Sequence, residues 1–272
     1  MDKGEARRLN HTMKRLLLIA ILLLIPASAD AALTDNLEAY WKFDESSGTA
    51  ADSTANARDL TNNNTVPYVA GKINNASDLE SGSSQYFSRT NNFDFTAGTI
   101  CTWTNIESLA NSRNIASTGN GSGTTGFYFD HRLTGSTLRF GFGAGSNEVS
   151  SASAVSTGSY LFLCATWSTS DKKLYVAGSN VATNNVDETL SAAGGSIHIG
   201  KLVYVSGDYY DGTLDEMGIW SRQLSDAEIT SLYNSGTGLS YPFSASAPPK
   251  VPDITFISRA PEPIALREED VC

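Results

Sequence analysis

Asp215 and Glu216 stand side by side, and a pair of carboxyl groups flanking one bond is what glycoside hydrolysis requires. They fall in the run Leu214–Trp220, whose composition reads as a strand. On a regular strand, consecutive side chains point to opposite faces, so this pair is predicted not to cooperate. A Ser-His-Asp arrangement is equally poorly supplied. Of the three histidines, only His131 and His198 follow the N-terminal apolar run, and neither lies near a nucleophile motif. His198, between Ile197 and Ile199, is expected to alternate outward as a surface residue. The run Gly119-Asn120-Gly121-Ser122-Gly123 lacks the Lys of a phosphate loop. Gly141-Phe142-Gly143-Ala144-Gly145 lacks the helix and later acid of a dinucleotide site. Both read as hairpin connections, and the chain is expected not to be an enzyme.

Recognition chemistry is better represented. Tyr204, Tyr209 and Tyr210 cluster with Asp208 and Asp211 ahead of the Leu214 strand. Aromatic faces stack on the C–H surface of sugars while carboxylates accept hydroxyl hydrogen bonds, a pattern of few polar groups set among apolar ones. The competing reading packs at least one of these tyrosines beneath the loop. Three cysteines are present: Cys101, Cys164 and the terminal Cys272. Cys101 and Cys164 lie in strand-like runs and read either as a cross-strand disulfide, which an oxidising compartment permits, or as two small buried side chains.

Positioning these groups falls to many short β-prone runs separated by Gly, Asn, Ser and Thr. Candidate strands are Glu38–Phe43, Gln85–Thr90, Thr99–Asn105, Gly126–His131, Thr137–Phe142, Tyr160–Ser168, Lys172–Ala177, Ser196–Gly200 and Leu214–Trp220. Without alternating helices, such a series predicts an all-β antiparallel sandwich or barrel. Gly194-Gly195 and Asp211-Gly212 are expected at tight turns. One short helix is marked by the capping box Ser225-Asp226-Ala227-Glu228, by Leu224 and Ile229 as a staple, and by Gly236 as its stop.

The ends differ in texture. Lys14-Arg15, the apolar run Leu16–Ile25, Pro26 and small residues around Ala29 predict a secretory signal peptide over 1–31, with an uncleaved anchor as the alternative. Residues 32–243 form the predicted domain. A Pro-rich linker opening at Ser244 leads into a tail, 244–272, expected to be disordered. The expected location is secreted, cell-surface or periplasmic, with no stable membrane insertion after signal cleavage. A formal net charge of -10 argues against nucleic acid as a partner.

Several blocks together resemble a known family: Tyr40-Trp41-Lys42-Phe43-Asp44-Glu45, then Asp52-Ser53-Thr54-Ala55-Asn56, Gly71-Lys72-Ile73, and Thr99-Ile100-Cys101-Thr102-Trp103. The most specific block is Tyr210-Asp211-Gly212-Thr213-Leu214-Asp215-Glu216-Met217-Gly218-Ile219-Trp220, followed by the capped helix. In order and spacing the chain resembles the laminin-G-like jelly-roll modules of the concanavalin-A-like lectin/glucanase superfamily. That resemblance implies a jelly-roll β-sandwich and a structural Ca²⁺ held by Asp52, Asn56 and Asp215. Ala55 stands where the family usually has Gly. Hydrolases of the superfamily carry a Glu-x-Asp-x-x-Glu run, which this chain lacks. The expected function is a secreted, non-catalytic recognition or adhesion module for carbohydrate or an extracellular or surface protein. A structural or assembly protein is the alternative, and a glycoside hydrolase a distant one.

Overall fold

The computed structural model describes residues 33–90, 93, 95–111, 113–119, 126–143, 148–185 and 195–243. The expected signal segment and tail lie outside the described residues, as does Gly194. The strands run β1 (Leu37–Trp41), β2 (Thr61–Asn63), β3 (Tyr68–Ala70), β4 (Asn75–Leu79), β5 (Tyr86–Thr90), β6 (Gly98–Ile106), β7 (Arg113–Gly119) and β8 (Phe127–His131). They continue with β9 (Thr137–Phe142), β10 (Val149–Ala154), β11 (Tyr160–Trp167), β12 (Lys172–Val176), β13 (Ser179–Asn184), β14 (Ser196–Ile199) and β15 (Gly212–Trp220). A single α-helix, α1 (Asp226–Tyr233), follows among the described residues.

The strands form two antiparallel sheets. An eight-stranded sheet has the order β13-β12-β11-β6-β15-β4-β3, with β1 also paired to β15; a seven-stranded sheet has the order β10-β9-β8-β7-β14-β5-β2. Alternation along each strand divides its side chains between two faces. From β6, Ile100 and Ile106 enter the inter-sheet core; from β15, Leu214, Met217 and Ile219 do so. The seven-stranded sheet answers with Phe87, Ala116, Phe127, Phe129, Phe140, Ile197 and Ile199. This is the predicted jelly-roll sandwich.

The outer face of the eight-stranded sheet carries a second apolar layer. Cys101, Trp103, Phe162, Tyr175 and Trp220 pack there under Leu33, α1 and the segment reaching Phe243. The Trp220 indole donates to Leu33 O at 2.7 Å, tying the first described residue to the last strand. The predicted capping box is present: Ser225 Oγ accepts from Glu228 N, and Glu228 Oε2 accepts from Ser225 N at 2.8 Å. The stop differs by a few residues. Asn234, at φ 48°, takes the left-handed C-terminal position expected of Gly236, which instead ends a short 3-10 turn. The helix is far too short to span a bilayer, and no helix among the described residues is long and apolar enough to cross one.

The Asp211-Gly212 turn is not a hairpin. Gly212 opens β15, paired with Leu79 on one side and Ile106 on the other. Its φ is 141°, and a Cβ there would lie 2.3 Å from Asn105 O, so glycine serves a close strand approach rather than a reversal.

Cys101 and Cys164 face one another directly across the β6–β11 ladder and are joined by a disulfide, with Cα atoms 4.1 Å apart. The crosslink ties residues 63 apart in sequence, and closing a loop of that length in the unfolded chain is worth up to about 4 kcal/mol. Replacing both cysteines by Ala is expected to lower unfolding stability by about 2–4 kcal/mol in urea titrations. Mass measurement of native protein after alkylation, with and without reduction, checks the bond itself: alkylation of both residues without reductant would remove it.

Candidate functional site

The adjacent carboxyls are arranged differently from the sequence expectation. The register of β15 against β6 shifts between Asp215 and Gly218, and Glu216 sits at φ 49°. This is a β-bulge, which re-aims side chains. Asp215 lies opposite Trp103, a member of the outer layer, and Glu216 faces the hydroxyls of Tyr40 and Ser240 in that same layer. The two acids therefore share a face, because the bulge breaks the strict alternation assumed for a regular strand. Both are sealed in, at 0% and 3% exposure. Asp215 Oδ2 accepts from Ile73 N at 2.9 Å, while its Oδ1 has no hydrogen-bond partner among the described residues. Burial first, then the neighbouring Glu216, pushes Asp215 up to about 8. Burial likewise pushes Glu216 up to about 7.

Two members of the implied calcium set, Asp52 and Asn56, are engaged by protein groups. Asp52 is held by N–H and O–H donors: Oδ1 accepts from Tyr40 N and Thr54 N, and Oδ2 accepts from Thr54 Oγ1 and Arg58 N, all at 2.8–3.0 Å. Asn56 turns its amide Nδ2 onto the carbonyls of Leu37 and Glu38. Trp41 pairs with Met217 on one side and bridges Asp52 on the other, so β1 stands between Asp52 and β15. Asp52 and Asn56 organise the loop after β1, and Asp215 belongs to a separate buried site. Three other carboxylates do converge: oxygens of Asp78, Glu80 and Glu107 lie within 4.8 Å of one another. Glu80 and Glu107 are exposed there.

The tyrosine loop divides. Tyr210 is fully buried, its hydroxyl hydrogen-bonded to Thr104 Oγ1 and its ring edge-on to His131. It belongs to the inter-sheet core, which corrects its assignment to a ligand surface. Asp211 Oδ1 accepts from Ser81 N at 3.0 Å, and its carbonyl accepts from Glu107 N, a structural role. Tyr204, Asp208 and Tyr209 stay half-buried at the surface.

Residues 201–209 lie over the outer face of the seven-stranded sheet. Ser117 Oγ, on β7, donates to Lys201 O at 2.8 Å and accepts from Val203 N at 3.0 Å, while Lys201 and Tyr209 bridge the base of the loop. Asp208 turns to one flank, where Asn114 Nδ2 donates to it. Tyr209 turns to the other and meets Tyr86 of β5, ring centroids 6.0 Å apart. His198 lies 5.1 Å from Tyr86, and the Lys201 ammonium stands 4.6 Å and 5.4 Å from the Tyr86 and Tyr209 centroids. As expected, His198 points away from the core, yet it is half-buried. Burial and Lys201 hold it down to about 4, so it is neutral at physiological pH. Tyr86, His198 and Lys201 were missed as site residues in the sequence, because they come from β5, β14 and the loop after β14. Only their period-2 placement opposite buried isoleucines and Phe87 could have shown that they share a face. His131, in contrast, is fully buried, with neither ring nitrogen hydrogen-bonded among the described residues.

A family model described as the concanavalin A-like lectin/glucanases superfamily matches residues 79–230. The chain belongs to this superfamily. No curated protein matches the sequence. Among solved structures, domain 4 of AbnA, a GH43 extracellular arabinanase from Geobacillus stearothermophilus, in complex with arabinotriose, is 18% identical over 72% of this chain and 97% of that one, with a TM-score of 0.59. Trypanosoma rangeli sialidase is 14% identical over 75% of this chain, with a TM-score of 0.57, and the match covers 34% of the sialidase. A botulinum neurotoxin type C structure, whose cell entry depends on interaction with two ganglioside molecules, is 15% identical over 76% of this chain and 53% of that one, at TM-score 0.60. These likenesses are of fold.

Two outcomes follow for this concanavalin A-like domain. Asp52→Ala removes four hydrogen bonds to a carboxylate and is expected to destabilise by about 2–4 kcal/mol. The loss should be the same in EDTA as in calcium, since the carboxylate serves protein donors; a loss seen only with calcium would restore the metal assignment. The buried acids set a pH dependence. With folded values raised, the native state keeps protons that the unfolded chain releases, so stability falls as pH rises toward about 8. His131 and His198, both held down to about 4, act in the opposite direction only below their ordinary 6.5. The midpoint of thermal unfolding should therefore drop between roughly pH 6.5 and 8.5, and Asp215→Asn should flatten that drop.

Proposed function

We propose that this chain is a secreted, non-catalytic carbohydrate-recognition module whose ligand surface is the outer face of the seven-stranded sheet beside the 201–209 loop. The single observation that carries the reading is the half-buried cluster of Tyr86 and Tyr209 with Lys201 and His198 on that face. Aromatic rings on a pinned backbone offer apolar surface with little ordering entropy to lose on binding, and sugar hydroxyls need a few fixed polar partners beside it. Asp208 and Tyr204, on the other flank of the loop, supply further polar groups at its rim.

Support for a non-catalytic role comes from the acids. Asp215 and Glu216 lie beneath the aromatic layer of the other sheet, where no polysaccharide reaches them. A glycosidase needs its two carboxyls on either side of the scissile bond. Export is supported by the leader-like N-terminal run and by a Cys101–Cys164 disulfide, which suits an oxidising compartment. The sugar-bound neighbours, the arabinotriose complex of AbnA domain 4 and a botulinum neurotoxin DC binding domain in complex with SialylT, suggest the first probes.

The test is calorimetric titration with arabinotriose, sialyllactose and lactose after a glycan-array screen. Binding is expected, and Tyr86→Ala and Tyr209→Ala should each weaken it by about tenfold, an effect of about 1.4 kcal/mol, with unfolding midpoints close to wild type. Affinity that survives both substitutions would remove this face, and release of reducing ends from the array polysaccharides would replace the reading with a hydrolase.

A further inference from the structure

We infer that the Lys201 cluster selects glycans bearing a carboxylate, such as sialylated or uronic acid-containing chains, over their neutral counterparts; this rests on the recognition surface just proposed. Lys201 is placed with care by its neighbours. Gly200, at φ 82°, turns the chain out of β14, and a Cβ there would lie 2.3 Å from Leu79 Cδ2, so the bend is confined to glycine. The Ser117 hydroxyl then pins the Lys201 backbone over the sheet. Its ammonium is held against two tyrosine rings and joins no ion pair among the described residues.

The distribution of charge around the loop points the same way. The loop's own acid, Asp208, accepts a hydrogen bond from Asn114 on the far flank, at 3.2 Å, leaving Lys201 without a carboxylate at the tyrosine end. His198 is neutral there and adds a ring nitrogen, Nδ1, that is buried without a partner among the described residues. A cation resting on aromatic faces keeps its full charge while losing part of its hydration, so an incoming carboxylate gains an ion pair at a lower desolvation cost than it would with a bare surface lysine. The chain's net charge of -10 opposes an anionic ligand at long range. At physiological salt that field is screened over about 8 Å, and the contact pair decides.

A cation–π contact that merely staples the loop makes a different forecast, since it would leave acidic and neutral sugars equal. The experiment measures affinity for matched pairs: sialyllactose against lactose, and trigalacturonate against its methyl ester. Wild-type protein is expected to favour the acid member of at least one pair by about tenfold, and Lys201→Gln should abolish that preference with the unfolding midpoint close to wild type. Preference in the first pair alone names a sialic acid, in the second alone a uronic acid. Equal affinity within both pairs, or a preference that survives Lys201→Gln, overturns this inference and leaves the recognition surface standing. Absence of binding to every glycan overturns both.

Discussion

The structure depends on where β15 is placed. One edge of this strand pairs with β6 along its length, and the other pairs first with β4 and then with β1. A strand near the end of the domain thereby joins the first strand, an early hairpin and the central strand of its sheet. None of these contacts is local in sequence, so the sandwich closes only when distant parts of the chain meet. The change of partner from β4 to β1 occurs at the bulge of Asp215 and Glu216. An unbroken ladder would hold alternation strictly; the extra residue lets the strand bend from one neighbour to the next. Buried acids at this junction are the consequence of that geometry.

Once β15 is set, the two sheets acquire unlike outer faces. That of the eight-stranded sheet is covered by Trp103, Trp220, Tyr40, α1 and the chain's return to Phe243, and it reads energetically as a second core. That of the seven-stranded sheet is left to polar and amphipathic residues: Ser88, His198, Ser117 and Tyr128 stand in one row across β5, β14, β7 and β8. The Arg139 guanidinium bonds Asp130 and Glu148 further along this sheet, so most of its charge is internally neutralised. Lys201 joins no ion pair among the described residues.

The fold was legible because apolar alternation survives wherever a strand packs on the core. All nine expected strands exist, with ends shifted by a residue or two, as in Leu37–Trp41 for Glu38–Phe43. Six strands were not foreseen. Thr61–Asn63, Asn75–Leu79, Val149–Ala154 and Ser179–Asn184 consist largely of Asn, Ser, Thr and Ala, and they are strands because a neighbour pairs with them rather than by propensity. The helix was written in its capping box, a local signal. Site residues fared worse for the converse reason. Clustering in sequence put Tyr209 and Tyr210 together, yet adjacent residues entering a strand point opposite ways, and Tyr210 went into the core while Tyr209 met Tyr86. Neither partner lies close to the loop in sequence. The failure at Asp215 and Glu216 has the same root, since a bulge is a property of pairing and leaves no mark in an isolated strand.

Membership of a superfamily that joins lectins and glucanases leaves function open, because one sandwich serves both. What separates them physically is which carboxyls reach solvent in pairs. A hydrolytic acid must be raised in pKa and still touch substrate, and burial sufficient for the first commonly prevents the second unless a cleft is cut to it. Here Asp215 is raised by burial under an aromatic layer that also supports Trp220 and Tyr40, so opening a cleft would remove the packing that holds β1 to β15. The chain has committed that face to closure. The opposite sheet carries two tyrosine rings and an ammonium that joins no ion pair among the described residues.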